Sequence, residues 1–110
     1  MSVRIEVLSG ADLDDALKDV ARLRIEVFRA FPYLYDGDPA YEAEYLSTYR
    51  RARGAIVVAA IAEGRIVGAA TGLPLQEADP AFRDPVSSAG LDPGRTFYCA
   101  ESVLLPAFRG

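Results

Sequence analysis

No histidine occurs in these 110 residues. A Ser-His-Asp triad, a Cys-His dyad and a histidine-ligated metal site are therefore excluded for this chain on its own. Any proton transfer falls to carboxylates, tyrosine, cysteine, lysine or water. Cysteine is nearly as scarce. The single Cys99 cannot close an internal disulfide, which favours a reducing, cytoplasmic compartment. With no histidine to activate it, Cys99 reads as a buried, inert thiol. An excess of positive charge is also missing: the formal net charge is −4 and the pI about 4.7. Such a surface repels phosphates, so nucleic acid is not an expected partner, whereas a cationic amine is electrostatically compatible. Long apolar runs are absent too. The longest, residues 55–62, falls far short of the roughly 20 residues a membrane span needs. The opening MSVRIEVLSG holds too little apolar character for a secretory signal. What remains is 51% apolar residues, enough for the core of one domain at most.

The chain punctuates itself clearly. Residues 3–8 alternate, placing Val3, Ile5 and Val7 on one face and Arg4 and Glu6 on the other, the pattern of a half-buried strand. Ser9 or Asp12 can cap a following helix, and Leu13, Ala16, Leu17, Val20, Leu23 and Val27 recur at helical spacing over residues 12–29. Pro32 closes that helix. The connector, residues 31–38, is unusually aromatic, with Phe31, Tyr33 and Tyr35. Asp38-Pro39 reads as an N-cap and first-turn proline of a second helix, on which Tyr41, Tyr45 and Tyr49 stand four residues apart. Residues 55–62 read as a continuous apolar strand covered on both faces, Glu63-Gly64 as a tight turn, and residues 65–73 as the returning strand closed by Pro74. A connector of about twenty residues with three prolines follows, with room for a short helical turn over residues 80–88. Residues 96–105 form the fourth strand, β-branched and aromatic at its start and stopped by Pro106. No internal repeat or domain boundary interrupts this order, and Asp36-Gly37-Asp38 lacks further ligands at metal-binding spacing, so no metal is expected.

Ala107, Phe108, Arg109 and Gly110 follow Pro106, and an Arg-Gly pair just past a strand-ending proline has the look of a phosphate-cradling turn. The run VLLPAFRG, residues 103–110, resembles the strand-to-loop opening of the GNAT superfamily, the acyl-CoA-dependent N-acyltransferases. Their signature is Gln or Arg, two residues, Gly, one residue, then Gly or Ala. Arg109 matches its first position and Gly110 its second, and the signature glycines fall beyond residue 110. The resemblance extends over the whole chain. It implies an α/β (α+β) fold with a mixed, mostly antiparallel sheet in the order β-α-α-β-β-β. Residues 1–110 would then be a single partial domain, the N-terminal portion of that fold, without its C-terminal helix and strands.

The resemblance implies acetyl-CoA as co-substrate and direct attack of a primary amine, small-molecule or peptide, on its thioester. Arg109 and Gly110 would begin the pyrophosphate cradle. The backbone of Val103, Leu104 and Leu105 would pair with the pantetheine arm, their side chains being core in any case. The N–H groups of Ser102 and Leu104 would face the acyl group. Glu101 is the only carboxylate on the fourth strand and stands eight residues before Arg109, where the family often places its base. Burial beside an apolar cleft would make it a better base; as a solvated or ion-paired strand residue it would do no chemistry. Tyr33, Tyr35, Tyr41 and Tyr45 fall in the region that shapes the acceptor pocket in the family. They can line that pocket or pack the helix, since tyrosine suits both. Asp36 or Glu42 could attract an ammonium. Two other readings stay open: an acyl-CoA sensor without catalysis, and an interaction fragment that pairs through its bare fourth strand. The second would give a homodimer or a complex with a complementing C-terminal half.

Overall fold

The computed structural model describes residues 2–30 and 32–110; Phe31, read above as part of the aromatic connector, lies outside the described residues. The elements are β1 (Arg4–Leu8), α1 (Gly10–Phe28), α2 (Pro39–Arg51), β2 (Ile56–Ala62), β3 (Arg65–Pro74), α3 (Pro80–Ser88) and β4 (Phe97–Leu104). The four strands form one antiparallel sheet in the order β1-β2-β3-β4, with three helices. The expected β-α-α-β-β-β order is present, and the short helical turn of the long connector is α3. That connector also carries 3₁₀ turns at Leu75–Glu77 and Pro93–Arg95, and a further one, Pro106–Phe108, follows β4.

Local chemistry explains most boundaries. Ser9 is the N-cap of α1, although its side chain makes no capping bond. Asp38 caps α2: its carboxylate accepts from the N–H groups of Ala40 and Tyr41, and Pro39 fills the first turn, where a missing N–H costs nothing. Asp79 and Asp92 do the same for α3 and the turn after it, accepting from Ala81 N and Gly94 N at 2.8 Å each. Glu63 and Gly64 both take positive φ, 52° and 76°, as a two-residue hairpin turn requires. The Glu77 carboxylate accepts from the N–H groups of Arg53 and Gly54, at 3.0 and 3.1 Å. This fastens the long connector to the end of α2.

The core lies between α1, α2 and one face of the sheet: Leu13, Leu17, Val20 and Leu23 from α1, Leu46 and Tyr49 from α2, and Val57, Ala69, Leu73 and Val103 from the strands. Three sequence expectations reverse here. Val3, Ile5 and Val7 are 45%, 62% and 67% exposed rather than buried. The alternation correctly marks an apolar row, but α1 and α2 cover the opposite side of the sheet, and Arg4 pairs with Glu6 there instead. For the same reason β2 is fully buried on one face only, at Val57, Ala59 and Ala62, while Ile56, Val58 and Ala60 are half-buried. Cys99 follows this parity. It faces the open side and is exposed, not buried as its lack of activating neighbours suggested.

The candidate active site

Glu101 stands on β4, the edge strand, opposite Thr71 of β3. Thr71 is buried and its hydroxyl meets that of Tyr49 at 3.4 Å, so this side of the pair faces the helices. Glu101 therefore turns under α1 and α2. There Arg24 of α1 donates through Nη1 to Glu101 Oε2 and through Nε to Glu42 Oε1, the latter at 2.5 Å. Glu42, the first inward residue of α2, is 0% exposed, and Arg24 is 8% exposed. The second Glu42 oxygen accepts from the Tyr35 hydroxyl at 3.0 Å, and that hydroxyl accepts from the Asp38 N–H at 3.1 Å. The guanidinium lies over the Tyr45 ring at 4.1 Å and near the Phe28 ring at 5.3 Å, which fixes its plane. Among the described residues, Glu101 Oε1 is buried and has no hydrogen-bond partner.

The electrostatics follow from this packing. Burial pushes the Glu101 carboxyl above its usual value; Arg24 pulls it back, and the second carboxylate, Glu42, pushes it up again. Burial works against the charge of Arg24, but its two carboxylate partners more than offset that and hold it protonated. Tyr45 and Tyr49 are raised, first by burial and then by the nearby Glu101 charge. One guanidinium is shared between two carboxyl groups.

The expected acceptor tyrosines divide. Tyr41 and Tyr45 line a cleft of about 420 Å³ together with Phe82, Tyr98, Glu44 and Asp79. Phe82 and Tyr98 stack in its wall, their ring centres 5.1 Å apart. Tyr35 instead braces Glu42, and Tyr33 is exposed against Phe28. The expected co-substrate residues divide as well. Val103 is buried in the core, Ser102 is exposed on the open side of the sheet, and the Leu105 N–H donates to the Val67 carbonyl at 3.0 Å. Arg109 is exposed, and its Nε donates to the Leu104 carbonyl at 2.9 Å; Gly110, also exposed, follows it. Leu104 pairs with Gly68 and Ser102 with Ala70. The irregularity in the ladder falls between them and the strand's start: Thr71 pairs with Glu101 and Gly72 with Cys99, leaving Ala100 as an extra residue. Such a bulge re-aims neighbouring side chains and frees backbone groups of the bulged strand.

Sequence reasoning missed Arg24. The signal was available, because Arg24 stands four residues after Val20 and seven after Leu17 on the buried row of α1. A charge on such a row needs a partner. Glu42, noted only for its charge, opens the buried row Glu42, Leu46, Tyr49 of α2, whereas Tyr41 at the start of the tyrosine row is 52% exposed. Among the described residues, no group of three or more His, Cys, Asp or Glu side chains is placed to hold a metal ion, and no helix is long and apolar enough to cross a membrane.

The antiparallel four-stranded sheet with two helices laid over one face is a GNAT-like fold. Two solved structures of the aminoglycoside N-acetyltransferase AAC(6')-Iy superpose on it. One, in complex with the bisubstrate analogue CoA-S-monomethyl-acetylneamine, gives a TM-score of 0.61 at 16% identity over 99% of this chain. The other, in complex with CoA, gives 0.54 at 18% identity over 98%. The chain spans 61% and 59% of the length of those two chains. No protein-family model matches the sequence, and comparison with curated proteins gives no match.

Proposed function

We propose that these residues are the N-terminal portion of an acetyl-CoA-dependent N-acetyltransferase acting on a primary amine, with Glu101 as the general base. The observation that carries this reading is the Glu101 carboxylate itself. It is held by Arg24 through one oxygen, its other oxygen is buried and has no hydrogen-bond partner among the described residues, and it sits at mid-strand on the sheet edge. In the reaction, the ammonium of the acceptor gives a proton to Glu101. The freed amine attacks the thioester carbonyl carbon and a tetrahedral intermediate forms; the C–S bond then breaks, and the extra proton still on the attacking nitrogen passes to the departing sulfur, giving the amide and CoA as thiol. Burial supports the base role, because a carboxylate held above its usual value takes a proton more readily at neutral pH.

The remaining assignments belong to the same proposal. Val103, Leu104 and Leu105 accompany the pantetheine arm, with Ser102 and Leu104 toward the acyl group, and Arg109 with Gly110 opens the pyrophosphate cradle. The tyrosine-lined cleft receives a small-molecule or peptide amine through Tyr41 and Tyr45. The likeness to enzymes solved with CoA and an acetylneamine conjugate supports the thioester and a small amine as reactants.

The test is CoA release from acetyl-CoA across a panel of amines, using the whole polypeptide that carries these residues. Glu101→Gln should lower kcat/KM by about 10²- to 10⁴-fold. The wild-type rate should fall on the acid side at a pH above the ordinary carboxylate value of 4.5, because the base form disappears as pH drops through the raised value. Binding of acetyl-CoA with Glu101→Gln silent in every assay would point to a sensor instead. The exposed row Val3, Ile5, Val7 and the bare β4 edge favour a second reading, an interaction fragment. In that case the 110 residues would dimerise on size-exclusion chromatography and ignore acetyl-CoA.

A further inference from the structure

We propose that Arg24 and Glu42 are positioning residues for Glu101: the guanidinium clamps one carboxylate oxygen and leaves the other open to a proton, while Glu42 shares the guanidinium's charge so that Glu101 remains a usable base. This rests on the base reading of Glu101 given above and adds the two residues that tune it.

The geometry separates the two roles. Arg24 offers Nη1 to Glu101 and Nε to Glu42, two different donors of one rigid fork, so the bond to one carboxylate fixes the direction of the other. The fork lies over the Tyr45 ring at 4.1 Å with the Phe28 ring at 5.3 Å, contacts that favour this orientation. Glu42 is anchored in turn by the Tyr35 hydroxyl on its second oxygen. Among the described residues, every oxygen of the two carboxylates therefore has a hydrogen-bond partner except Glu101 Oε1. The unpartnered oxygen belongs to the residue on the edge strand, not to Glu42 of α2.

A lone Arg24–Glu101 pair would make a poor base. An unshared guanidinium at hydrogen-bond distance drives a carboxyl down by about one to three units. Glu42 sets a second carboxyl group on the same guanidinium and pushes Glu101 back up. The charged and titratable groups facing Glu101 are few. Among the described residues they are Arg24 from α1 and Glu42, Tyr45 and Tyr49 from α2, with Thr71 opposite from β3. Of the charged ones, Arg24 lowers Glu101 and Glu42 raises it. Removing each must therefore move Glu101 in opposite directions, which a merely structural role would not do.

The experiment is a carboxyl-carbon NMR titration of Glu101 in the full chain, with the resonance assigned by its loss in Glu101→Gln. In Glu42→Gln the midpoint should fall by about one pH unit, and in Arg24→Gln it should rise by at least as much. If Arg24→Gln does not fold, Arg24→Lys serves: a single shorter ammonium cannot reach both carboxylates as the fork does, and a smaller rise is expected. Midpoints that stay put, or that move in the same direction in both variants, overturn the inference. The acid limb of the acetyl-transfer rate is recorded alongside. If it follows the midpoints, both the inference and the base assignment are upheld. Midpoints that move as expected while the limb stays fixed uphold the clamp and overturn the base assignment, so the two failures are distinct.

Discussion

The two faces of the sheet are made from the same strands and have opposite fates. Under α1 and α2, Val57, Leu73 and Val103 close a dry core, and the polar residues that enter it, Arg24, Glu42 and Thr71, each find a partner. On the other side Ile5 and Val7 are more than half exposed, and Phe97, Cys99 and Ser102 border a shallow cleft of about 290 Å³. Apolar character is abundant on both sides, so it does not decide which is the inside. What decides is which side the helices lie on. A charged cluster survives only where a second layer excludes water and holds each group in place.

This contrast can be broken by mutation. The largest effect is expected from Arg24→Ala, which leaves two carboxylates buried without their cation and should cost about 3–5 kcal/mol of stability in urea unfolding. A loss under 1 kcal/mol would mean that water reaches the cluster. Next is the pair Leu23→Ala and Ile5→Ala. Leu23 is 0% exposed and its truncation should cost about 2–5 kcal/mol, while Ile5, at 62% exposed, should change stability by about 0.5 kcal/mol or less. Equal losses would show that the open face is covered in solution. A smaller effect than that of Leu23→Ala is expected from Gly72→Ala on the open side. A Cβ there would stand 2.5 Å from the Phe97 ring and 3.0 Å from the Tyr98 carbonyl, so the ring must move, at a cost of about 1–3 kcal/mol by thermal unfolding.

Much of the site region was legible residue by residue. Glu101 drew notice as the one carboxylate on an edge-forming strand, and Tyr41 and Tyr45 stand in the wall of a real cleft. The cluster that surrounds Glu101 was not legible as a unit. Arg24 and Glu101 are 77 positions apart, and their meeting depends on the register of β4 against β3 and on how α1 crosses the sheet. The bulge at Ala100 has no sequence mark either: a one-residue slip in pairing reverses which side chains turn inward, and no turn residue announces it here. Tyr35 shows the same limit from the other direction. Its placement in an aromatic connector was plain, but its hydroxyl serves Glu42 because α2 begins directly above it.

By itself the sequence determined the order of elements, their caps and their turns, because these depend on neighbours a few residues away: Asp38 before Pro39, Glu63 with Gly64, the helical row from Leu13 to Leu23. Only the tertiary structure decided which face of the sheet is the interior and which three charges meet there. Alternation along a strand records that its two faces differ, and nothing in it says where the second layer will pack. The joining of Arg24, Glu42 and Glu101 arises only when that layer is laid down and removes water from all three together.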